Sequence, residues 1–276
     1  MRWSLITLFV LQVVTTQAQT DTTRKLWDTA LLEKKTYRVA TPDVPVAGVT
    51  ADRVVGITLW KLRAPVRTDS GERLLVHQGA TSEEWVPSRV AADTRFEEGD
   101  RVRLSVEAAR PGYLYVVDRE QYANGTLGEP YLIFPTRLTR GGDNEIRPGG
   151  VVEIPAQSDD PPYFRLRRSR PDQTGESLSI IVSPKPIDGI EIGDQPRRVS
   201  DAEFASWVKA WGEKVGRLDM QNGVGQLWSK AEREAGSTKT RSLKQEEPLP
   251  QSLYYRPTSK VDEAVMVGVA LRYSLE

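Results

Sequence analysis

The chain contains no cysteine. That absence removes disulfides, thiolate nucleophiles, iron–sulfur clusters and cysteine-ligated zinc. It has one histidine, His77, so every site needing two imidazoles is excluded, including most catalytic zinc sites. A Ser-His-Asp triad would have to use His77, which sits in a short apolar stretch with no nucleophile motif beside it. Net charge is also missing: Lys plus Arg is 38 and Asp plus Glu is 38. The basic excess that marks a polyanion partner is absent, so nucleic acid is not an expected partner. No phosphate-cradling glycine loop of either standard spacing occurs. No apolar run is long enough to cross a bilayer as a helix.

What is there suits a turn-rich globular protein: 38% hydrophobic residues, 18 prolines and 21 glycines in 276 residues. Without disulfides, stability must come from burial, and a chain of this size can bury roughly 70% of its unfolded surface. Residues 1–18 have the build of an export signal. Arg2 gives a positive start, Trp3 to Val14 is mostly apolar, and Thr16-Gln17-Ala18 offers small residues where a signal peptidase reads. The expected location is therefore periplasmic or extracellular. No cysteine lies near the cut to carry a lipid, and the mature chain holds 37 basic against 38 acidic residues. Residues 19–50 form an N-terminal segment, with a short helix expected over Asp21 to Tyr37 and a proline-bearing linker over Thr41 to Val49. Residues 51–276 are expected as one domain.

The body of the chain alternates strands and turns. Strands are expected at Val54 to Leu62, Leu74 to His77, Val151 to Ile154 and Val265 to Tyr273, the last with Val265, Val267, Val269 and Leu271 on one face. Tyr163 to Arg167 and Ser177 to Ser183 are expected to pair as a hairpin around a turn at Arg170 to Gly175. The pattern changes at Ser200, where Ser200 and Glu203 fit a capping box. Phe204, Trp207, Val208, Trp211 and Val215 then make one helical stripe, with Gly216 available to end a helix of about four turns. Ser229 with Glu232 repeats the capping pattern ahead of a shorter helix that closes near Ala235 and Gly236. The sum is a mainly β chain: an antiparallel β-sandwich with one amphipathic helix and a second short helix in its C-terminal third.

The centre of this pattern is Glu98 to Pro135. Arg101 to Glu107 alternates, with Val102, Leu104 and Val106 opposite Arg103, Ser105 and Glu107, which predicts a half-buried strand. Gly112 to Asp118 is apolar on both faces, which predicts a mid-sheet strand. Asn124-Gly125 reverses the chain, and Tyr131 to Pro135 returns. The order E-G-D-R-V-R-L, G-Y-L-Y-V, Asn-Gly, Y-L-I-F-P-T resembles the bacterial family called domain of unknown function 4384 (DUF4384). The likeness continues through Gly141-Gly142-Asp143-Asn144, Ile154-Pro155, Trp207 with Trp211, and Glu247-Pro248-Leu249-Pro250, so it covers about Val54 to Tyr273. The family has no established activity. Its domains also occur appended to peptidase-like and kinase-like proteins, which implies an accessory or sensing role.

Candidate site residues cluster around the central strands. Asp118 and Glu120 fall on one side of the strand if it extends that far, where a carboxylate pair can serve acid–base chemistry. The plainer alternative is that they cap the strand and pair with Arg119 or Arg101. Tyr113, Tyr115, Tyr122 and Tyr131 offer an aromatic ledge for a sugar or peptide, against the commoner role of strand aromatics as core. Arg165 and Arg167, with Arg168 and Arg170, form a basic run suited to an anionic group, unless Asp159, Asp160 and Asp172 neutralise it. Gly141 to Glu145 lacks the ligand spacing of a calcium loop. Ser206-Trp207-Val208-Lys209 matches S-x-x-K, but the companion K-T-G is missing and Trp207 belongs to the packing stripe. Asn124-Gly125-Thr126 matches a glycosylation pattern that the turn explains by itself.

No metal and no cofactor is expected. The expected function is that of an exported, non-enzymatic β-sandwich binding a protein or envelope component. The alternative is a carboxylate-dependent hydrolase of glycan or cell-wall material acting through Asp118 and Glu120.

Overall fold

The computed structural model describes residues 26, 36–47, 49, 54–78, 81–257 and 262–274. In chain order its strands are β1 (Tyr37–Val39), β2 (Val54–Arg63), β3 (Leu74–Gln78), β4 (Thr81–Arg89), β5 (Arg95–Phe96), β6 (Arg101–Ala108), β7 (Gly112–Tyr122) and β8 (Tyr131–Phe134). They continue with β9 (Glu145–Ile146), β10 (Val151–Ile154), β11 (Phe164–Arg165), β12 (Gln173–Ser183), β13 (Arg197–Arg198), β14 (Gly216–Met220), β15 (Ser252–Tyr255) and β16 (Val265–Tyr273). Two helices interrupt them, α1 (Asp201–Trp211) and α2 (Lys230–Ser237).

The expected mainly β sandwich is what forms. One sheet has nine strands: β1-β14-β15-β2-β4-β3 in order, with β6 along the other side of β2 and with β10 and β11 pairing β6. The second has seven, in the order β13-β8-β7-β12-β16-β5, with β9 also pairing β7. Almost every contact within them is antiparallel; β5 runs parallel to β16. Apolar side chains of β2 and β6 face those of β7, β12 and β16 in one core that includes Ile57, Leu104, Val116, Ile180 and Val267. Strands β7 and β12 are buried on both faces over Leu114–Val117 and Ile180–Ser183, as two-sided apolar stretches at mid-sheet should be. Tyr115, Val117 and Ile181 turn outward from that core and are covered by α1 through Phe204 and Trp207.

Local signals at the helices work as written in the sequence, with one difference in length. The Glu203 amide donates to the Ser200 hydroxyl at 3.2 Å. At α2 both halves of the capping box form: the Glu232 amide donates to Ser229 Oγ at 3.3 Å and the Ser229 amide donates to Glu232 Oε2 at 3.0 Å. The first helix ends at Trp211 and Gly212, not near Val215, and Gly216 starts strand β14. Val208, expected on the packed stripe, is 41% exposed, while Phe204 and Trp207 are buried and Trp207 stacks on Trp211 with ring centroids 5.9 Å apart.

Two expectations are corrected. Strand β6 is not half-buried: Arg103, Ser105 and Glu107 are as inaccessible as its valines. The polar face is covered because Arg103 forms an ion pair with Glu153 at 3.0 Å, sits over the Trp228 ring, and Ser105 accepts from the Trp60 indole at 2.7 Å. Tyr163 to Ser183 is not a hairpin: Phe164–Arg165 pairs with Val102 and Arg101 of the first sheet, whereas Gln173–Ser183 joins the second. Leu166 enters the core between the sheets, so the chain crosses from one layer to the other. Strands β1, β4, β5, β9, β13, β14 and β15 were not expected, and Tyr37, assigned to the N-terminal helix, lies in β1; most of these strands carry charged residues in the ladder, which hides their period.

The expected export signal over residues 1–18 lies outside the described residues, as does most of the helix expected over Asp21 to Tyr37. Leu26 is described, and it is buried with Val54, Leu218 and Leu253. Part of the expected linker packs on the same cluster through Val44, Val46 and Val49, and Tyr37–Val39 adds an edge strand to β14.

Candidate functional site

The period of β7 puts Leu114, Val116, Asp118 and Glu120 on one face, and the first two lie in the core between the sheets. The ladder with β12 sets Asp118 opposite Leu178 and Glu120 opposite Glu176. The core face therefore turns acidic toward one end of the sandwich. Asp118 and Glu176 line a cleft of about 380 Å³ there. Its walls come from both sheets: Leu59, Val102 and Leu104 on one side, Ile133, Leu178 and Leu271 on the other. The crossing segment contributes Phe164, Arg165, Leu166 and Arg167, and the Asp194–Pro196 loop closes the rim.

Both carboxyls are perturbed. Burial pushes Asp118 up to about 7; the nearby Glu120 charge adds to the effect and the Arg119 backbone amide opposes it. Burial pushes Glu176 up to about 8, helped by the charge of Asp118. Glu176 Oε1 accepts from Gln173 Nε2 at 2.7 Å and lies 3.2 Å from the Tyr273 hydroxyl. That hydroxyl is also 3.1 Å from the Arg167 carbonyl, and its single proton serves one acceptor at a time. Asp118 Oδ1 and Glu176 Oε2 are inaccessible and have no hydrogen-bond partner among the described residues. Two buried carboxyl oxygens without a partner, beside an apolar cleft, are the site's distinguishing feature.

The structure sorts the sequence candidates. Asp118, Arg165 and Arg167 meet at the cleft. Glu120 does not line it; its carboxylate accepts from the Tyr122 hydroxyl at 2.5 Å. Asp118 is not paired with Arg119 or Arg101. Arg119 points the other way, donating to the Gly128 carbonyl at 2.6 Å and lying over Phe204, while Arg101 stacks 3.9 Å from the centre of the Trp85 ring. Arg165 and Arg167 are exposed and have no side-chain partner among the described residues. Of the acids expected to neutralise them, Asp172 pairs with Arg170 at 2.9 Å, and Asp159 accepts from the Arg140 and Ala156 amides instead.

The four tyrosines do not share a ledge. Tyr115 is 3% exposed beneath the α1 cluster and accepts from the Ile187 amide, with Tyr113 packed beside that cluster. Tyr122 lies under Arg170, and Tyr131 is 41% exposed next to Glu129. Asp143 is held by Arg140 at 3.3 Å and Lys239 at 2.8 Å. Ser206 donates to the Glu203 carbonyl within its own helix. Thr126 donates twice to the Asn124 side chain, and Gly125 has a φ of 82° as the turn requires. His77 is exposed on β3.

Glu176 and Tyr273 were not among the candidates. The signal for Glu176 was its parity with Leu178, Ile180 and Val182, which places it on the core face. A second hollow, of about 390 Å³, lies between Thr36, Met220, Asn222, Gln226 and the 246–249 turn. Its buried charge, Arg89, is already neutralised by Glu232 and also donates to the Leu249 carbonyl.

Comparison with known proteins gives one match: residues 95–186 fit the family described as Domain of unknown function (DUF4384). The matched segment runs from β5 to the end of β12 and contains Asp118, Arg165, Arg167 and Glu176. It is narrower than the span of the resemblance noted in the sequence. No curated protein and no solved structure matches.

Proposed function

Because residues 95–186 of this chain belong to the DUF4384 family, we propose that the protein is an exported, non-enzymatic binding module whose ligand enters the cleft between its two sheets. One observation carries this reading: Asp118 Oδ1 and Glu176 Oε2 are buried beside an apolar cleft with no donor of their own. A buried acceptor left without a donor costs about 1–3 kcal/mol, so a ligand that brings donors gains by satisfying these two. Export rests on the leader-like residues 1–18. No described helix is long and apolar enough to cross a membrane. The natural ligand is then an envelope component small enough to fit between the layers.

Incubation with envelope extract, repurification and native mass spectrometry test the cleft. A bound mass on the wild type that is lost in folded Ile133→Trp, where the indole obstructs the cleft, is the expected result. No bound mass, or a mass unaffected by that substitution, overturns the reading. Export is tested separately by fusing residues 1–18 to a reporter that is active only outside the inner membrane; a silent fusion removes that half of the proposal.

A hydrolytic reading keeps one supporting observation, the Asp118 carboxyl held near neutrality inside the cleft, where a general acid is useful. It predicts that Asp118→Asn abolishes turnover of cell-wall glycan, whereas Glu120, held by Tyr122 outside the cleft, is no longer placed to be its partner. Unchanged turnover in Asp118→Asn disposes of it.

A further inference from the structure

We infer that the ligand is an apolar organic cation, with its hydrocarbon body between the sheets and its ammonium set against Asp118 and Glu176. This rests on the cleft reading above and specifies its chemistry. The strand ladder places the two carboxyls on one face, with Asp118 opposite Leu178 and Glu176 two residues earlier on the same strand. Each leaves one oxygen buried and unpartnered. These oxygens accept hydrogen bonds, and an ammonium brings three donors and a charge that compensates the pair. The space, about 380 Å³, falls at the lower end of small-molecule pockets, which span roughly 300–1,000 Å³. Leu59, Leu104, Leu178 and Leu271 give it an aliphatic lining that suits an alkyl chain.

The opposite polarity, an anionic head held by Arg165 and Arg167, is the competing chemistry. Those guanidiniums are exposed and lose little by staying in water, whereas the two carboxyl oxygens are shut off from water and, once ionised, gain most from a cation beside them. The observations therefore favour the cation. Binding it requires the acids to be ionised. Around them stand Glu120 on β7, Tyr273 on β16, Arg165 and Arg167 on the crossing segment, and Asp194 on the rim loop. Burial holds both carboxyls partly protonated near neutrality, so uptake of the cation expels protons.

The test is titration calorimetry of the full mature chain with n-octylamine, n-octanoate and n-octanol, in buffers of differing ionisation enthalpy at roughly pH 6 and pH 9. The expected result is saturable octylamine binding that releases protons and tightens by about tenfold or more toward pH 9. Asp118→Asn and Glu176→Gln should each weaken it about tenfold, while a double Arg165→Gln, Arg167→Gln variant should not. Both acid replacements keep the side chain's shape while exchanging a chargeable carboxyl oxygen for a neutral NH2, and either one alone suffices for the test. Octanoate binding that depends on the arginines, equal binding of octanol, or no binding of octylamine overturns the inference. The mass-spectrometric experiment on the cleft decides the broader reading independently, so an occupied cleft that ignores octylamine refutes the cation alone.

Discussion

Replacing Asp118 by Asn should stabilise the protein in alkali and change it little in acid. The side chain ordinarily titrates at 3.8 and here at about 7. Between those values the folded chain keeps a proton that the unfolded chain has released. Stability from this group is therefore complete below about pH 4 and declines as pH rises, with the loss complete above about 7. At about 1.4 kcal/mol per tenfold change in proton affinity, the ceiling is about 4 kcal/mol. The residue is partly accessible and shares its burden with Glu176, so about 2 kcal/mol is the working figure. Asn has the same shape and no proton to lose. For a domain of this size 1 kcal/mol moves Tm by about 2–4 °C, so Asp118→Asn should melt about 4–8 °C higher at pH 9 and near wild type at pH 4. Circular-dichroism melts of both proteins at the two pH values give the comparison. An equal difference at both, or a less stable variant at pH 9, refutes the account of the cleft. A second check is coupling: the Asp118→Asn, Glu176→Gln double variant should gain less than the sum of the singles, because removing either charge already relieves the other carboxyl.

Other substitutions probe the frame. Glu153→Gln strands the buried Arg103 guanidinium and should cost about 3–5 kcal/mol in urea unfolding; a loss under about 1 kcal/mol would mean the pair is not enclosed as described. Gly175→Ala places a methyl 2.3 Å from the Leu271 carbonyl oxygen at the irregular step of the β7–β12 ladder, and should cost about 1–3 kcal/mol by thermal melting, with no change counting against that register. Ser229→Ala removes both the acceptor for the Glu232 amide and a donor to its carboxylate, and about 1 kcal/mol of stability should go with it.

Much of this architecture was legible because its strands are two-sided. Tyr113 to Val117 and Val265 to Leu271 carry their burial in their own residues, and the serine–glutamate pairs mark both helix starts. Reading failed where one layer's neutrality depends on another. Arg103 and Ser105 look like solvent residues until Glu153, Trp60 and Trp228 are seen to cover them. Phe164–Arg165 looks like half a hairpin because nothing local shows that its ladder partner is Val102, far back in the chain. The site was half visible. Asp118, Arg165 and Arg167 stood out as charges next to strands, but Glu176 lies 58 residues beyond Asp118, and only the cross-strand register joins them. The tyrosines misled because aromatic residues on successive strands split between the two faces of a sheet.

The boundaries of the family match have a practical corollary. A fragment comprising only 95–186 would keep β7 beside β12 but leave β12 without β16, and it would leave β6 without β2. Val55, Ile57, Leu59, Val267 and Leu271 would vanish from the shared interior, exposing the hydrophobic flanks they cover. Excised at those borders, the segment should come out of the expression host as insoluble material, because the matched stretch supplies only part of each layer it packs in.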